Sequence, residues 1–533
     1  MKNNHFLNII GLLCLIVIGC KNDDDIITVE ENQNPGDFSV EVNEVTTNSA
    51  SITWDAPVDP DNDPLSYTII LDNDEIVSNY ISTTFALEGL APNTSYSGSV
   101  IASDGNNGTS ESTFTFDTGE EIIDTQIHLV WEKSYGGSRI DIANSLELTT
   151  DGGYIIAGTS YSDDGDVGGN NDADNYLGGD VWVVKLNSSG DLEWETNLGG
   201  SLDERGDSIQ QTSDGGYIVT GTTNSSQFDT NGNFDAWVIK LDASGNIVWE
   251  NTYGGGSNDS ANDIQQTTDG GYIVAGFSGA SGDDVSENNG SLDYWIIKID
   301  ASGVLEWETS LGGSETDIAN AVEQTTDGGY IVAGYSESSD HDVNGNNGEK
   351  DYWIVKLDPL GNLVWGEHFG GNQDEIANGI QQTTDGGYIV AGFSESSTND
   401  VSNNYGGKDY WIVKLNTSGQ LVWESNYGSS ESDIAESIQQ TSDQGYIIAG
   451  NSATDDFDVS SDNGGFADYW IVKLDSLGEI SWEFGAGGPE GDFATAIRQS
   501  SDGYIAAGYV KGPGGDISGM GKGQWDYWVI KLE

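Results

Sequence analysis

The stretch DYWIVKLDPLGNLVW, Asp351–Trp365, decides how this chain is organised. It returns as DYWIIKIDASGVLEW at Asp293–Trp307 and as DYWIVKLNTSGQLVW at Asp409–Trp423. Looser copies run Asp180–Trp194, Asp235–Trp249 and Asp468–Trp482. A last copy, DYWVIKLE at Asp526–Glu533, holds only the first half. A segment matching the other half, IHLVW at Ile127–Trp131, precedes the first full copy.

The closing Trp of each copy recurs about every 58 residues, from Trp131 through Trp194, Trp249, Trp307, Trp365 and Trp423 to Trp482. Each unit divides into four short strands, like Ala319–Thr325, Gly329–Tyr335, Tyr352–Leu357 and Asn362–Trp365. Asp-Gly-Gly joins the first two at Asp151, Asp214, Asp269, Asp327 and Asp385; Asp-Gly favours the positive φ of a two-residue hairpin. Asp443-Gln444-Gly445 and the shorter Asp502-Gly503 depart from the pattern. Seven units of four antiparallel strands predict an all-β chain ending in a seven-bladed β-propeller over 125–533, closed by N- and C-terminal strands. A sheet shared by both ends would hide the edges an open array exposes. Small residues at Ala143, Gly206, Ala261, Ala319, Ala377, Ala435 and Ala494 are expected at the narrow axis.

Composition supports an ordered, turn-rich β protein, with 73 Gly, 8 Pro and 16 Trp in 533 residues. Seventeen Lys+Arg against 89 Asp+Glu give a net charge of −72, which argues against nucleic acid or anionic headgroups as partners. Such a chain suits divalent cations and basic or neutral partners. The two cysteines, Cys14 and Cys20, leave the folded domains without a disulfide framework.

Residues 1–19 have the layout of an export signal. The run Val17-Ile18-Gly19-Cys20 resembles a bacterial lipobox, which implies lipidation of Cys20. Lys21-Asn22-Asp23-Asp24-Asp25 opens an acidic tether over 20–36 and resembles the surface-export signal of Gram-negative lipoproteins. That resemblance implies the outer membrane, facing outward.

Residues 37–118 alternate with period two, and 119–124 form a linker. Trp54, Tyr67, Leu90 and Tyr96 resemble the inward Trp, facing strand and tyrosine corner of a fibronectin type III sandwich. The repeats resemble secreted propeller repeats of the pattern DGGYIVAG…DYWIVKLD…G…W. The resemblance implies architecture and an extracellular setting, but no reaction.

Three sets of residues could carry chemistry. Lys185, Lys240, Lys298, Lys356, Lys414, Lys473 and Lys531 occupy one repeat position near the Asp-Gly turn, where a structural Lys–Asp pair is expected. Asp141, Glu204, Asp259, Asp317, Glu375, Asp433 and Asp492 open the first strands, and Asp180, Asp235, Asp293, Asp351, Asp409, Asp468 and Asp526 open the third. These carboxylates either fix loops through backbone N–H groups or, for the first-strand set, form a cation or ligand ring at a channel mouth. Among the long loops, Asp342, Asn344 and Asn346 alternate oxygen donors as a Ca²⁺ loop does.

Enzyme signatures are missing: the sequence has no HExxH, Gly-x-Ser-x-Gly, P-loop or paired-Cys motif. The expectation is a non-catalytic, monomeric surface lipoprotein that requires no cofactor, with Ca²⁺ as a candidate ligand, and binds an extracellular glycan or protein through the long loops. Trp525 and Tyr405 would stack on a sugar. The alternatives are a carbohydrate-active enzyme using loop carboxylates and an inert envelope scaffold.

Overall fold

The computed structural model describes residues 31–533 except 44, 47–48, 92–93, 119–126, 170–177, 229–233, 461–465 and 519–522. Cys20, the export signal, most of the tether and the linker lie outside the described residues. The described chain is all-β, apart from a 3-10 turn at Ser226–Phe228. It divides into two units, residues 1–125 and 126–533.

In the first unit, alternation dictates a two-sheet sandwich. Ser49–Trp54 and Ser66–Leu71 each bury every second side chain. One sheet has three strands and the other four. Ile52, Trp54, Tyr67, Ile69, Val100 and Phe114 fill the space between them, with Trp54 edge-on to Tyr67 at 5.2 Å. The Tyr96 hydroxyl accepts the Ala91 N–H at 2.8 Å and so holds the corner before its strand.

The second unit contains seven four-stranded antiparallel sheets, numbered in chain order, with sheet 1 between Asp141 and Leu198 and sheet 3 between Asp259 and Leu311. Sheet 4 is typical, with strands Asp317–Gln324, Tyr330–Ser336, Asp351–Leu357 and Leu363–Phe369. The fourth strand runs four residues beyond the Trp that the repeat pattern placed at its end. Sheet 7 draws on both ends of the unit: Asp492–Ser500, Gly503–Val510, Asp526–Leu532 and, as fourth strand, Leu129–Tyr135. Tyr527 pairs with Tyr135 and Lys531 with Trp131.

The core lies between neighbouring sheets. Third strands are buried on both faces because a sheet packs on each side. At one seam, Tyr294 and Ile296 of sheet 3 meet Ala319, Val332 and Trp353 of sheet 4. The Tyr294 hydroxyl donates across it to the Trp353 carbonyl at 2.8 Å. Sheet 7 meets sheet 1 in the same way: Tyr527 and Val529 pack with Ala143 and Trp182, and the Tyr527 hydroxyl donates to the Trp182 carbonyl at 3.0 Å.

The tight turns explain their glycines. Gly328 has φ +84°, and a Cβ on Gly329 would meet Lys356 Nζ at 2.5 Å. Gln444 takes the positive-φ place in the sixth turn, at +70°.

Candidate functional site

At the tight-turn end of unit two, each of the seven lysines lies 2.5–3.1 Å from the Asp of its own sheet's turn. The lysine side chains are 2–6% exposed and the aspartates 57–68%. Lys356 Nζ also donates to its neighbour's carbonyl, Leu357 O, at 2.9 Å. Burial opposes ionisation of Asp214, but bonds from Thr212, Gly216 N–H and Lys240 bring it down to about 2. This arrangement neutralises a buried ammonium in every sheet and leaves it no access to a substrate.

The first-strand acids are not at a mouth, which corrects the expectation drawn from topology. Asp141, Glu204, Asp259, Asp317, Glu375, Asp433 and Asp492 are all fully buried. Each accepts a backbone N–H from four residues upstream, as Gly313 N–H gives to Asp317 at 2.8 Å and Gly371 N–H to Glu375 at 2.6 Å. Serine hydroxyls add further bonds, such as Ser338 to Asp317 at 2.9 Å.

The small residues behind these acids do not face the axis either. Ala319 packs at a seam, because a β-bulge between Ala319 and Ala321 shifts the alternation. Asn320, the extra residue, turns inward. Its counterparts are Asn144, Asp207, Asn262, Asn378, Glu436 and Thr495, and together they line a cavity of about 370 Å³ between the seven first strands. Asn320 Nδ2 donates to the next sheet's Ala377 carbonyl at 2.9 Å; Asn262, Asn378 and Thr495 repeat the bond. Asp207 and Glu436 have carboxyl groups where the others have donors. Distance from bulk solvent, eased by Arg205, pushes Asp207 up to about 7; the same cause, eased by Lys408, puts Glu436 at about 7. The signal that would have found them is a repeat column of Asn broken twice by an acid.

A second cavity, of about 230 Å³, is ringed by Glu147, Gln210, Gln265, Glu323, Gln381, Gln439 and Arg498. Arg498 Nε bonds Glu147 at 3.1 Å across the seam between sheets 7 and 1.

At the long-loop end, a cavity of about 600 Å³ is lined by Phe466, Phe493, Tyr509 and Trp525, with Lys511 and Glu490 on its rim. The Phe493 and Tyr509 rings stack at 5.2 Å, and Trp525 stands edge-on to Tyr509 at 5.2 Å. Lys511 Nζ lies 5.9 Å from the Trp525 ring centre and 3.4 Å from Glu490. Phe466 is 78% exposed. Tyr405 lies elsewhere, against Phe457 at 5.3 Å. Related cation–aromatic contacts recur around this end at Arg205–Phe234, Lys350–Tyr335 and Lys408–Phe393.

Asp342 and Asn346 are held by separate partners. Asp342 turns back towards Gly312 N–H, whereas the Asn346 amide bridges the Ser336 carbonyl and Gly348 N–H. The alternating oxygens brace the loop. Among the described residues, no three His, Cys, Asp or Glu side chains form a ready-made metal centre.

Residues 33–117 match the fibronectin type III domain. A comparison with curated proteins finds no match. Among solved structures, the chain is similar to exotype rhamnogalacturonan lyase YesX, at 11% identity and TM-score 0.32, with 94% of this chain and 90% of that one covered. It is similar to puromycin hydrolase at 11% identity and TM-score 0.41, covering 72% of this chain and 54% of that one. A third likeness is to the extracellular domain of a protein described as a hybrid two-component system from B. thetaiotaomicron. Identity there is 13% and the TM-score 0.39, with 94% and 59% covered. The chain thus spans little more than half the length of the last two. Likenesses at these scores carry no argument about activity.

Proposed function

We propose that unit two is a seven-bladed β-propeller, carried by a surface lipoprotein, which binds carbohydrate through its long-loop end. Support for the propeller comes from seams: the last sheet packs on the first through the same Tyr–Trp bond that joins internal neighbours. The cavity of Phe466, Phe493, Tyr509 and Trp525 carries the binding reading. Aromatic faces take the apolar face of a pyranose ring, and the Lys511–Glu490 pair on the rim offers donors and acceptors to its hydroxyls. The lipobox-like run ending in Cys20 supports an anchor in the outer membrane, with the fibronectin-like unit as a spacer.

A glycan array with the purified protein tests the reading. Saturable binding that quenches Trp fluorescence and is lost in Trp525→Ala supports it. A blank array, or binding unchanged by Trp525→Ala, defeats it. Assay of released sugars on the polysaccharides that bind separates a binding module from a hydrolase. Cys20→Ser should move the protein from the membrane to the soluble fraction.

A further inference from the structure

Three consecutive seams share an arrangement that neither the Lys–Asp pairs nor the aromatic cavity explains. Asp293 of sheet 3 meets Asp317 of sheet 4, Asp351 meets Glu375, and Asp409 meets Asp433. All six side chains are fully buried. A glycine sits between the members of each pair. A Cβ on Gly312 would lie 2.6 Å from Asp293 Oδ1 and 2.7 Å from Asp317 Oδ2; on Gly428 the same distances are 2.7 Å to Asp409 Oδ1 and 2.6 Å to Asp433 Oδ2. The facing oxygens of a pair are therefore within about 5 Å of each other. A side chain at the glycine would collide with both oxygens, so only glycine lets the two acids face each other here.

The partners of these carboxylates are known in detail. Asp293 Oδ2 accepts Asn289 N–H at 2.5 Å, Asp351 Oδ2 accepts Asn347 N–H at 2.5 Å, and Asp409 Oδ2 accepts Tyr405 N–H. The remaining oxygen, Oδ1 of Asp293, Asp351 and Asp409, is buried, has no hydrogen-bond partner and faces the next sheet's acid. A loop aspartate approaches the same glycine: the Oδ2 atoms of Asp342, Asp400 and Asp458 lie 3.5, 3.3 and 3.3 Å from its N–H. Among the described residues, no lysine or arginine forms an ion pair with any of these six buried acids.

We infer that each of these three seams holds one Ca²⁺ ion between the third-strand aspartate of one sheet and the first-strand acid of the next. Two buried like charges require a compensating charge. Ca²⁺ takes oxygen ligands at about 2.3–2.6 Å in a flexible shell, so two ligand oxygens can stand about 5 Å apart across one ion. The two buried carboxylates supply the charged ligands of such a shell, and water completes it, without the rigid octahedron of Mg²⁺. The inference does not depend on carbohydrate binding and would stand if no glycan bound.

The test uses the full chain, stripped with EGTA and then dialysed against Ca²⁺ or Mg²⁺. The expected result is three or more Ca²⁺ per chain by elemental analysis, and a melting temperature raised by about 10 °C over the stripped protein. Mg²⁺ should do far less. The double variant Asp351→Asn, Glu375→Gln keeps the size of both side chains and should bind one ion fewer. Should that variant fail to fold, Tb³⁺ emission sensitised by wild-type aromatic residues, and displaced by Ca²⁺, gives the same answer. Equal melting temperatures in Ca²⁺ and EGTA, a full ion count in the folded variant, or no displaceable Tb³⁺ signal would overturn the inference.

Discussion

The two ends of unit two are built on opposite rules. At the tight-turn end, one solution is repeated seven times: a buried lysine, an exposed aspartate and a turn that closes over them. At the long-loop end, the connections differ in length and sequence, and one of them places Trp525 in a cluster of aromatic residues that the other seams do not repeat in full. Uniform chemistry marks what each sheet needs to fold. Departure from uniformity marks where selection has acted on something other than folding.

The comparison can be broken most severely at the seams that both ends share. Trp353→Ala removes a fully buried indole between sheets and should cost about 3–5 kcal/mol, read from denaturant unfolding. Lys356→Ala attacks the uniform end alone. It takes the lysine donor from the Leu357 carbonyl and the ion pair from Asp327, which keeps its bonds from Thr325 and the Gly329 N–H, and should cost about 2–3 kcal/mol.

Acid should act on the same end. The carboxyls of Asp151, Asp214 and Asp443 are held down at about 2, below their usual value of 3.8. Their contribution is full above pH 4 and is lost as pH falls towards 2. These aspartates are well exposed, so solvent screening keeps each contribution small. Melting curves between pH 5 and pH 2 should show the decline in wild type and a shallower one in Asp214→Asn.

The cavity between the first strands gives the reverse sign. The Asp207 carboxyl is raised to about 7, so it favours the fold below pH 4 and loses that contribution as pH rises through 7. Asp207→Asn restores the donor found at Asn144, Asn262, Asn320 and Asn378. It should raise the melting temperature by about 2 °C at pH 8 and leave it unchanged at pH 4. The smallest effect on stability belongs to the irregular end. Trp525→Ala should change unfolding by no more than about 0.5 kcal/mol while removing glycan binding.

Much of the architecture is legible in the sequence because it is written in periods and turns. Asp-Gly at Asp327 gives the hairpin, DYWIVKL gives a strand buried on both faces, and IHLVW names the strand that sheet 7 takes from the other end of its unit. The bulge at Asn320 is not legible, since one extra residue reverses which side chains face inward beyond it. That single slip turns Asn320 into the cavity between the first strands and Ala319 into a seam. The carboxylate pairs were out of reach for another reason. Asp351 and Glu375 belong to different repeats, and only packing of one sheet on the next brings them to the same glycine.

The strand Leu129–Tyr135 has a mechanical consequence. Trp131 rests on Gly190 of sheet 1 just as Trp307 rests on Gly361, so the join between the two ends is gripped like any other. A protease that nicked the loop at Asp340–Lys350 would sever the backbone without freeing either fragment. Each piece would stay knitted to the other through sheet 7 and the remaining seams, and the cut would show only after denaturation.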